Sequence, residues 1–191
     1  MIAHTLEQAN SCELFDAIAV SSDSKEILEV AGEYGATILV LRPDKLATDT
    51  SAKVPAIQHC VRHAEKISSK QFEVVVDLDA TAPLRLPDDI IGSVNLLEMK
   101  DASNVITAAP ARRSPYFNLV ELGNDGVVRL SKSPKKTIAR RQDSPKCFDM
   151  NASIYVWKHS VLFESSSLFN EGSRLRLSTR SEEMVDRASR I

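Results

Sequence analysis

The stretch at residues 74–85 constrains the fold of this chain more than any other. It begins with three consecutive valines, continues with two aspartates one residue apart, Asp77 and Asp79, and ends in a loop that contains Pro83 and Arg85. A short β-branched run bounded by polar and helix-incompatible residues is typical of a buried parallel strand. Because ligands of open α/β sheets lie outside the carboxyl ends of strands, the stretch predicts polar chemistry at this loop.

The two aspartates allow two interpretations. Side chains alternate along a strand, so Asp77 and Asp79 point the same way and could share a cation or a polar substrate. Alternatively, one acid caps the next element while the other is solvated. The local pattern leaves both interpretations open.

The order of the elements predicts the fold class. Strand-like runs at residues 15–20, 37–41, 74–79 and 105–109 alternate with segments of helical periodicity. Strands and helices that alternate in steps of this size predict an α/β protein with a doubly wound parallel sheet. The first helical segment, residues 2–12, begins with no N-cap residue before it.

The second predicted helix carries start and stop signals. Asp23 and Glu26 have the spacing of a capping box, and Gly35 suits the position after the last turn. The residues predicted to face inward are Ile27, Val30, Ala31 and Tyr34. The third helix is predicted to follow the polar loop at 44–51, and the fourth to open at Pro87.

The second half of the chain departs from this alternation. Apolar runs at 119–122 and 127–130 flank the sequence Gly-Asn-Asp-Gly, a strong hairpin signal. A strand at 152–157 is predicted to return to the sheet. We therefore predict one domain at residues 1–172 with an excursion at 113–148. Residues 173–191, which contain five arginines and few apolar residues, are predicted to form a poorly ordered tail.

Basic residues crowd the segment after the hairpin. They are Lys132, Lys135, Lys136, Arg140, Arg141 and Lys146. Such a run is either a solvated face or an anion site, and the pattern leaves both open.

Composition excludes several classes of protein. A net charge of -2 argues against wholesale binding to nucleic acid or membrane, and the start of the chain has no signal-peptide pattern, so a cytoplasmic protein is expected. Cys12, Cys60 and Cys147 are odd in number and widely spaced, which favours free thiols. His59 and His63 lie four apart on a predicted helix; a solvated face is favoured over a metal site because no further ligands are evident.

Short blocks along the chain resemble the cytidylyltransferase family that activates nine-carbon acidic sugars, the CMP-sialic acid synthetases and their legionaminic acid relatives. The blocks are residues 3–5, 15–16, 20–23, 41–43, 46–50, 77–79, 83–85 and 151–155. The resemblance covers about residues 1–170 and depends on the order and spacing of the blocks together.

The resemblance implies a fold, a reaction and an assembly. The fold is a Rossmann-like nucleotidyltransferase three-layer sandwich, in which the hairpin builds a homodimer. The anomeric hydroxyl of a 2-keto sugar acid attacks the α-phosphorus of CTP, giving the CMP-sugar and pyrophosphate, with Mg²⁺ as cofactor. Such chemistry requires positioning and charge neutralisation more than a covalent nucleophile.

The resemblance also implies roles for particular residues. Arg42 and the loop holding Asp49 would meet the nucleotide, and Arg141 would pair with the sugar carboxylate. Asn151 would orient the substrate. Asp79 and Thr81 would line the sugar pocket, near Asp77 and Arg85. We take Asp79 and Arg141 as the predicted catalytic residues, and Asp77 with Asp79 as the predicted metal ligands.

Two departures from the family pattern lead to further expectations. The family's Arg-, Gly- and Lys-rich phosphate loop and its acidic Ser-Ile-Asp-Ile-Asp strand have no counterpart, and residues 180–187 could be a frame-shifted reading of the latter. We therefore expect impaired turnover. The family's first strand would lie between the strands at 15–20 and 74–79, so we expect these two either to pair directly or to leave a gap filled by another segment.

Two alternatives stay open. The chain could be a catalytically inactive homologue that acts as a sugar-binding protein or dimer partner. It could also be a metal-dependent nucleotide-sugar glycosyltransferase-like domain, because the sequence Asp77-Leu78-Asp79 resembles the acid pair that holds Mn²⁺ and diphosphate in such enzymes.

Overall fold

The computed structural model describes residues 1–133, 138 and 140–178. The helices are α1 (Ile2–Ser11), α2 (Lys25–Glu33), α3 (Lys53–Ser68), α4 (Pro87–Met99) and α5 (His159–Glu164). The strands are β1 (Ala19–Ser22), β2 (Ile38–Leu41), β3 (Val74–Leu78), β4 (Asn104–Pro110), β5 (Val120–Leu122), β6 (Val128–Leu130), β7 (Phe148–Lys158) and β8 (Arg174–Leu177). Short 3-10 turns occupy Asp44–Leu46 and Arg141–Asp143.

The strands form three sheets within the described residues. The largest has the order β3-β7-β4-β8, in which β7 is antiparallel to β3 and β4 while β8 is parallel to β4. The strands β1 and β2 form a parallel pair, and β5 and β6 form the predicted hairpin. The α/β class is confirmed, and β7 makes the main sheet mixed rather than wholly parallel.

Alternating side chains of β7 build the two faces of the main core. Ile154 and Val156 pack with α4 on one face, whereas Tyr155 and Trp157 pack with α3 and α5 on the other. Trp157 is 1% exposed. Period-two alternation on a strand covered on both sides gives the three layers that the family resemblance implies.

The pair β1–β2 has its own smaller cores. Val20 packs with Leu6 of α1 and with Leu28 and Ala31 of α2. Ile38 and Val40 pack instead with Ala64 of α3. Because α3 also contributes Val54 and Val61 to the main core, this helix covers both sheets.

A gap separates β1 from β3. No backbone hydrogen bond joins the two strands, and no other described strand lies between them. A cavity of about 1150 Å³ lies there, lined by residues 17–21 of the first strand region and 74–79 of the second. Both predicted outcomes are wrong for the described residues: the two strands do not pair directly, and no other described segment fills the gap between them. Within the described residues, the facing edges of β1 and β3 therefore have no backbone partners.

The start and the buried face of α2 differ from prediction. The N-cap is Ser24 rather than Asp23: the Ser24 hydroxyl accepts from the Ile27 N–H at 3.2 Å and donates to Glu26 at 2.6 Å. The buried residues are Leu28 and Ala31, while Ile27, Val30 and Tyr34 are exposed. A two-stranded sheet offers α2 only a narrow surface, so much of its apolar stripe remains uncovered.

The predicted start of the irregular tail, residue 173, is too early in the sequence. Residues Arg174–Leu177 form β8 at the edge of the main sheet, parallel to β4. The Arg176 guanidinium lies against Gly92 of α4, where the Cβ of any other residue would collide with it. Residues 179–191, including the segment 180–187, lie outside the described residues. Among the helices that the structure describes, none has both the length and the apolar character needed to cross a bilayer.

The two glycines at the end of α2 give a test of this local structure. Gly35 has a φ of +89°, and a Cβ there would lie 2.8 Å from the Asn10 side-chain nitrogen. We expect Gly35→Ala to lower the free energy of unfolding by about 1–2 kcal/mol, because the left-handed conformation penalises a side chain. The control Gly32→Ala meets only Leu39 at 3.4 Å and should be neutral or stabilising by up to about 1 kcal/mol. Urea unfolding measures both, and equal losses would contradict this interpretation.

Candidate active site

Two carboxylates and an ammonium meet at the end of β3. Asp77 and Asp79 point the same way, as alternation predicts, and both face Lys53, the first residue of α3. Lys53 Nζ lies 2.7 Å from Asp77 Oδ2 and 3.4 Å from Asp79 Oδ2. It also lies 4.4 Å from the centroid of the Tyr155 ring, on the residue that pairs with Asp77 across the sheet. The two acids therefore share a cation, and this cation is a side chain.

Burial and charge shift the pKa values of all three groups. Burial raises the pKa of Asp77 despite the opposing Lys53 ammonium. Burial also disfavours the charged forms of Lys53 and Asp79, but their partners outweigh it: the two carboxylates raise the pKa of Lys53, while Thr81 and Lys53 lower that of Asp79. Asp77 Oδ2 is buried without a hydrogen bond of regular geometry, so its ion pair with Lys53 is what compensates its charge.

The loop after β3 is folded back onto Asp79. The Thr81 N–H and hydroxyl both donate to Asp79 Oδ1, at 2.9 and 2.6 Å. This turn fixes the Asp79 carboxylate and leaves Thr81 exposed at the rim. Thr81 and Asp79 therefore lie together, whereas their role in lining a sugar pocket stays a prediction.

Arg85 lies beneath this loop and is 4% exposed. Its Nη1 donates to the carbonyls of Asp79 and Ser153, at 2.7 and 3.0 Å, and its Nη2 donates to the Thr5 hydroxyl at 2.8 Å. Gln8 of α1 adds a hydrogen bond of 2.7 Å to the Arg85 carbonyl. The structure does not support the predicted contact of Arg85 with substrate. Its guanidinium is enclosed by protein and ties the loop to α1 and β7.

A bulge in β7 places Asn151 beside the same loop. The register with β4 shifts between Ile106 and Ala108, and Ala152 adopts a φ of +50°. Asn151 Oδ1 accepts from the Thr107 hydroxyl at 2.8 Å and from the Ser153 N–H at 3.2 Å. The Ser153 carbonyl in turn accepts from the Asp79 N–H at 3.1 Å. Left-handed backbone at a residue other than glycine is a form of strain that clusters at functional sites.

Arg42 reaches the same cavity from β2. Its Nη2 donates to the Ser21 carbonyl at 2.6 Å and its Nε to the Ser21 hydroxyl at 3.2 Å. The cavity is lined by Arg42 together with Lys53, Asp77 and Asp79. Asp49 is exposed on the following loop and does not line this cavity.

Some predicted residues lie outside the described part of the chain. Arg141 begins a short 3-10 turn, but the position of its side chain is outside the description. Lys135 and Lys136 are also outside it. The pairing of Arg141 with a sugar carboxylate therefore stays a prediction.

The acid pair does not fit a divalent metal ion as it stands. Lys53 occupies the space between the two Oδ2 atoms, and Thr81 occupies Asp79 Oδ1. No group of three or more His, Cys, Asp or Glu residues is placed for a metal within the described residues. His59 and His63 contact each other with ring centroids 4.5 Å apart, without further ligands in that part of the chain.

Sequence reasoning missed Lys53, Tyr155 and Gln8. A signal for Lys53 was available, because it stands at the start of a helix that follows a polar loop. In an α/β fold such helix starts lie near strand ends. The roles of Tyr155 and Gln8 depend on long-range packing that no local pattern encodes.

The buried ties of Arg85 generate a stability prediction. We expect Arg85→Met to lower the free energy of unfolding by about 2–4 kcal/mol, because it leaves buried carbonyls without their charged donor. The exposed control Arg113→Met should change it by less than about 0.5 kcal/mol. Urea unfolding followed by circular dichroism distinguishes them; an Arg85→Met protein as stable as the control would rule out the tie.

Solved structures share this fold. One is CMP:2-keto-3-deoxy-manno-octonic acid synthetase complexed with CTP, with a TM-score of 0.62 and 12% identity over 98% of this chain and 85% of that one. Another is 4-diphosphocytidyl-2C-methyl-D-erythritol synthase from Anaerococcus prevotii, with a TM-score of 0.60 and 15% identity over 94% of this chain and 80% of that one. These similarities confirm the nucleotidyltransferase type of Rossmann-like fold.

Sequence comparison identifies closer relatives. The chain is 45% identical over 175 residues to CMP-N,N'-diacetyllegionaminic acid synthase of Campylobacter jejuni, and 43% identical over 175 residues to post-translational flagellin modification protein B of Campylobacter coli. Each alignment covers 92% of this chain and 73% of the relative. A family profile described as Cytidylyltransferase matches residues 1–171. The chain therefore belongs to the cytidylyltransferase family.

Proposed function

We propose that this chain catalyses the transfer of CMP from CTP to a nonulosonic acid of the legionaminic type. A bond forms between the anomeric oxygen and the α-phosphorus, the bond from the α-phosphorus to the bridging oxygen breaks, and pyrophosphate leaves. The observation that carries the proposal is that Arg42, Asp77 and Asp79, at the carboxyl ends of β2 and β3, line the same cavity between the two sheets. The name of one relative above 40% identity, CMP-N,N'-diacetyllegionaminic acid synthase, supports the choice of sugar.

The described residues fit distinct tasks in this reaction. Asp79, held by Thr81, offers a fixed carboxylate that can accept a hydrogen bond from the anomeric hydroxyl. The pKa of Asp79 is lowered, so its carboxylate is ionised at neutral pH and orients the anomeric hydroxyl by accepting its hydrogen bond. Asn151 orients the sugar from the bulge in β7. Arg42 neutralises charge on the nucleotide side, and Arg141 is proposed to bind the sugar carboxylate.

The nucleotide side has less support from the described residues. The six glycines are spread along the sequence, so they do not make up a glycine-rich loop of the kind whose backbone N–H groups bind phosphates. We propose that Mg²⁺ accompanies the triphosphate of CTP rather than binding Asp77 and Asp79. We therefore expect the 191-residue chain to bind the sugar acid and to turn over slowly. The glycosyltransferase alternative is less favoured, because Lys53 stands where that reaction needs a metal.

A pyrophosphate-release assay tests the proposed function. The purified chain is given CTP, Mg²⁺ and N,N'-diacetyllegionaminic acid, with pseudaminic and N-acetylneuraminic acids as competitors. We expect release with the first sugar and a loss of at least about 10²-fold in kcat for Asp79→Asn, since an amide orients the hydroxyl poorly. The exposed control Glu33→Gln should be unchanged.

Calorimetry of sugar binding separates the remaining outcomes. Binding without release would support the non-catalytic, sugar-binding alternative. Binding of neither sugar nor CTP would contradict the proposal and leave only the fold.

We also propose that the hairpin β5–β6 docks on a second copy of the chain. Its apolar side chains are uncovered: Val120 is 55% exposed, Leu122 73% and Val128 60%. Phe148 and Met150 at the start of β7 are also exposed. Apolar side chains grouped on one excursion are typical of an interface.

Charge placed on this hairpin tests the interface. We expect a wild-type dimer and a monomeric Leu122→Glu/Val128→Glu protein, because two buried carboxylates would oppose association. The control Ile67→Glu changes an equally exposed side chain on α3, which is 62% exposed, and should leave the dimer intact. Size-exclusion chromatography with light scattering measures the mass. A monomeric wild-type chain would contradict the interface.

A further inference from the structure

We propose that Lys53 is a built-in cation for the Asp77–Asp79 pair, which excludes divalent metal ions from the pair and positions Asp79. It acts as a positioning residue, and its ammonium takes the place that a metal ion occupies between paired carboxylates. The catalytic consequence rests on the proposed function, whereas the exclusion of metal concerns the protein alone.

The position of Lys53 in α3 is unfavourable for the helix itself. It is the first residue of α3, the N-cap Ala52 makes no side-chain cap, and the first turn contains no acid. A positive charge at a helix N-terminus is opposed by the helix dipole. A partner outside the helix must therefore favour this lysine, and the carboxylates of Asp77 and Asp79 are such partners.

The surroundings of the ammonium match those of a bound cation. Asp77 Oδ2 and Asp79 Oδ2 lie at 2.7 and 3.4 Å on one side, and the face of the Tyr155 ring lies at 4.4 Å on another. The side chains of Lys53, Asp77 and Asp79 are 33%, 21% and 28% exposed. In such partly buried surroundings an ion pair is screened less than at the surface.

A divalent ion and the Lys53 ammonium cannot occupy this space together. Mg²⁺ binds oxygens at about 2.0–2.1 Å, so an ion that bridges the two Oδ2 atoms would have to enter the space that Nζ fills, 2.7 and 3.4 Å from them. Replacing Lys53 would also leave the Asp77 carboxyl without its partner, and a divalent ion could then take that place.

The position of Lys53 between the two acids also affects the binding of anionic substrates. The Lys53 ammonium offsets one unit of the negative charge that the two acids can carry. Repulsion of the anionic sugar and nucleotide is thereby reduced, and a metal ion brought by CTP is not drawn away to the acids. Asp79 keeps a single orientation, because Lys53 holds Oδ2 and Thr81 holds Oδ1.

Binding of Mn²⁺ alone, followed by electron paramagnetic resonance without nucleotide or sugar, tests the proposal. Mn²⁺ is the probe because it binds carboxylates as Mg²⁺ does. We expect the wild-type chain and the exposed control Lys66→Met to bind Mn²⁺ only weakly. Lys53→Met should bind it at least about tenfold more tightly, and Lys53→Met/Asp77→Asn should lose this gain. Because no substrate is present, the result is independent of whether the chain catalyses CMP transfer.

Stability measurements keep the test decisive if Lys53→Met folds poorly. Its unfolding midpoint should fall, because Asp77 loses its partner, and the added Asp77→Asn should recover most of the loss. Lys53→Arg should retain both stability and weak Mn²⁺ binding. Tight Mn²⁺ binding by the wild-type chain that Asp77→Asn abolishes would overturn the proposal. So would a folded Lys53→Met protein without the gain, or a double variant as unstable as the single one.

Discussion

The site depends on the polar ties that join two sheets which share no backbone hydrogen bond. Between β1–β2 and the main sheet lies a cavity, so the usual ladder that would hold neighbouring strands together is missing at this point of the described chain. Helices bridge it instead. The ion pair of Lys53 with Asp77 fixes the start of α3 to β3. Two hydrogen bonds fix the loop after β3 to α1: Gln8 donates to the Arg85 carbonyl, and the Arg85 guanidinium donates to the Thr5 hydroxyl. Both ties converge on Asp79.

This convergence explains why buried charges are retained where apolar residues would pack more simply. Ion pairs that are partly buried contribute little net stability, because desolvation offsets much of the attraction. Burial indeed raises the pKa of Asp77 in spite of its partner. What the charges provide is geometry: a carboxylate held on both oxygens, beside a bulge that is itself held by Thr107. Such preorganisation is what a transfer reaction without a covalent intermediate requires.

The sequence predicted the elements whose patterns are local. The valine run gave β3, helical periodicity gave α3 and α4, and the Gly-Asn-Asp-Gly turn gave the hairpin. It also placed Asp77 and Asp79 on the same side of β3, because alternation along a strand needs no tertiary information. The resemblance grouped Arg42 with Asp77 and Asp79, which line one cavity in the structure, whereas the substrate contacts of Asn151 and Arg42 stay predictions.

The errors share a physical cause, which is that partners far apart in sequence decided the outcome. The tail was expected to be irregular, yet Arg174 to Leu177 alternate strictly between charged and apolar residues, a two-residue period that becomes a strand because β4 offers an edge and Gly92 leaves room for Arg176. Arg85 looked available for substrate, but Thr5 and two carbonyls enclose it. In α2 the exposed Ile27, Val30 and Tyr34 reflect how little surface a two-stranded sheet offers.

The acid pair at the end of β3 also explains why a cation was expected there. Two aspartates with the same orientation at the end of a strand require positive charge, and sequence alone cannot say whether a metal ion or a side chain supplies it. A lysine tethered by the backbone supplies it at no cost in translational entropy and at fixed stoichiometry, whereas a metal ion must be recruited from solution. Both substrates of the proposed reaction are anions, and the role we propose for the tethered cation is to keep the acids ordered without a divalent ion. The positions of Lys53, Asp77 and Asp79 are therefore best understood as one unit, in which the helix start contributes the charge that the strand end lacks.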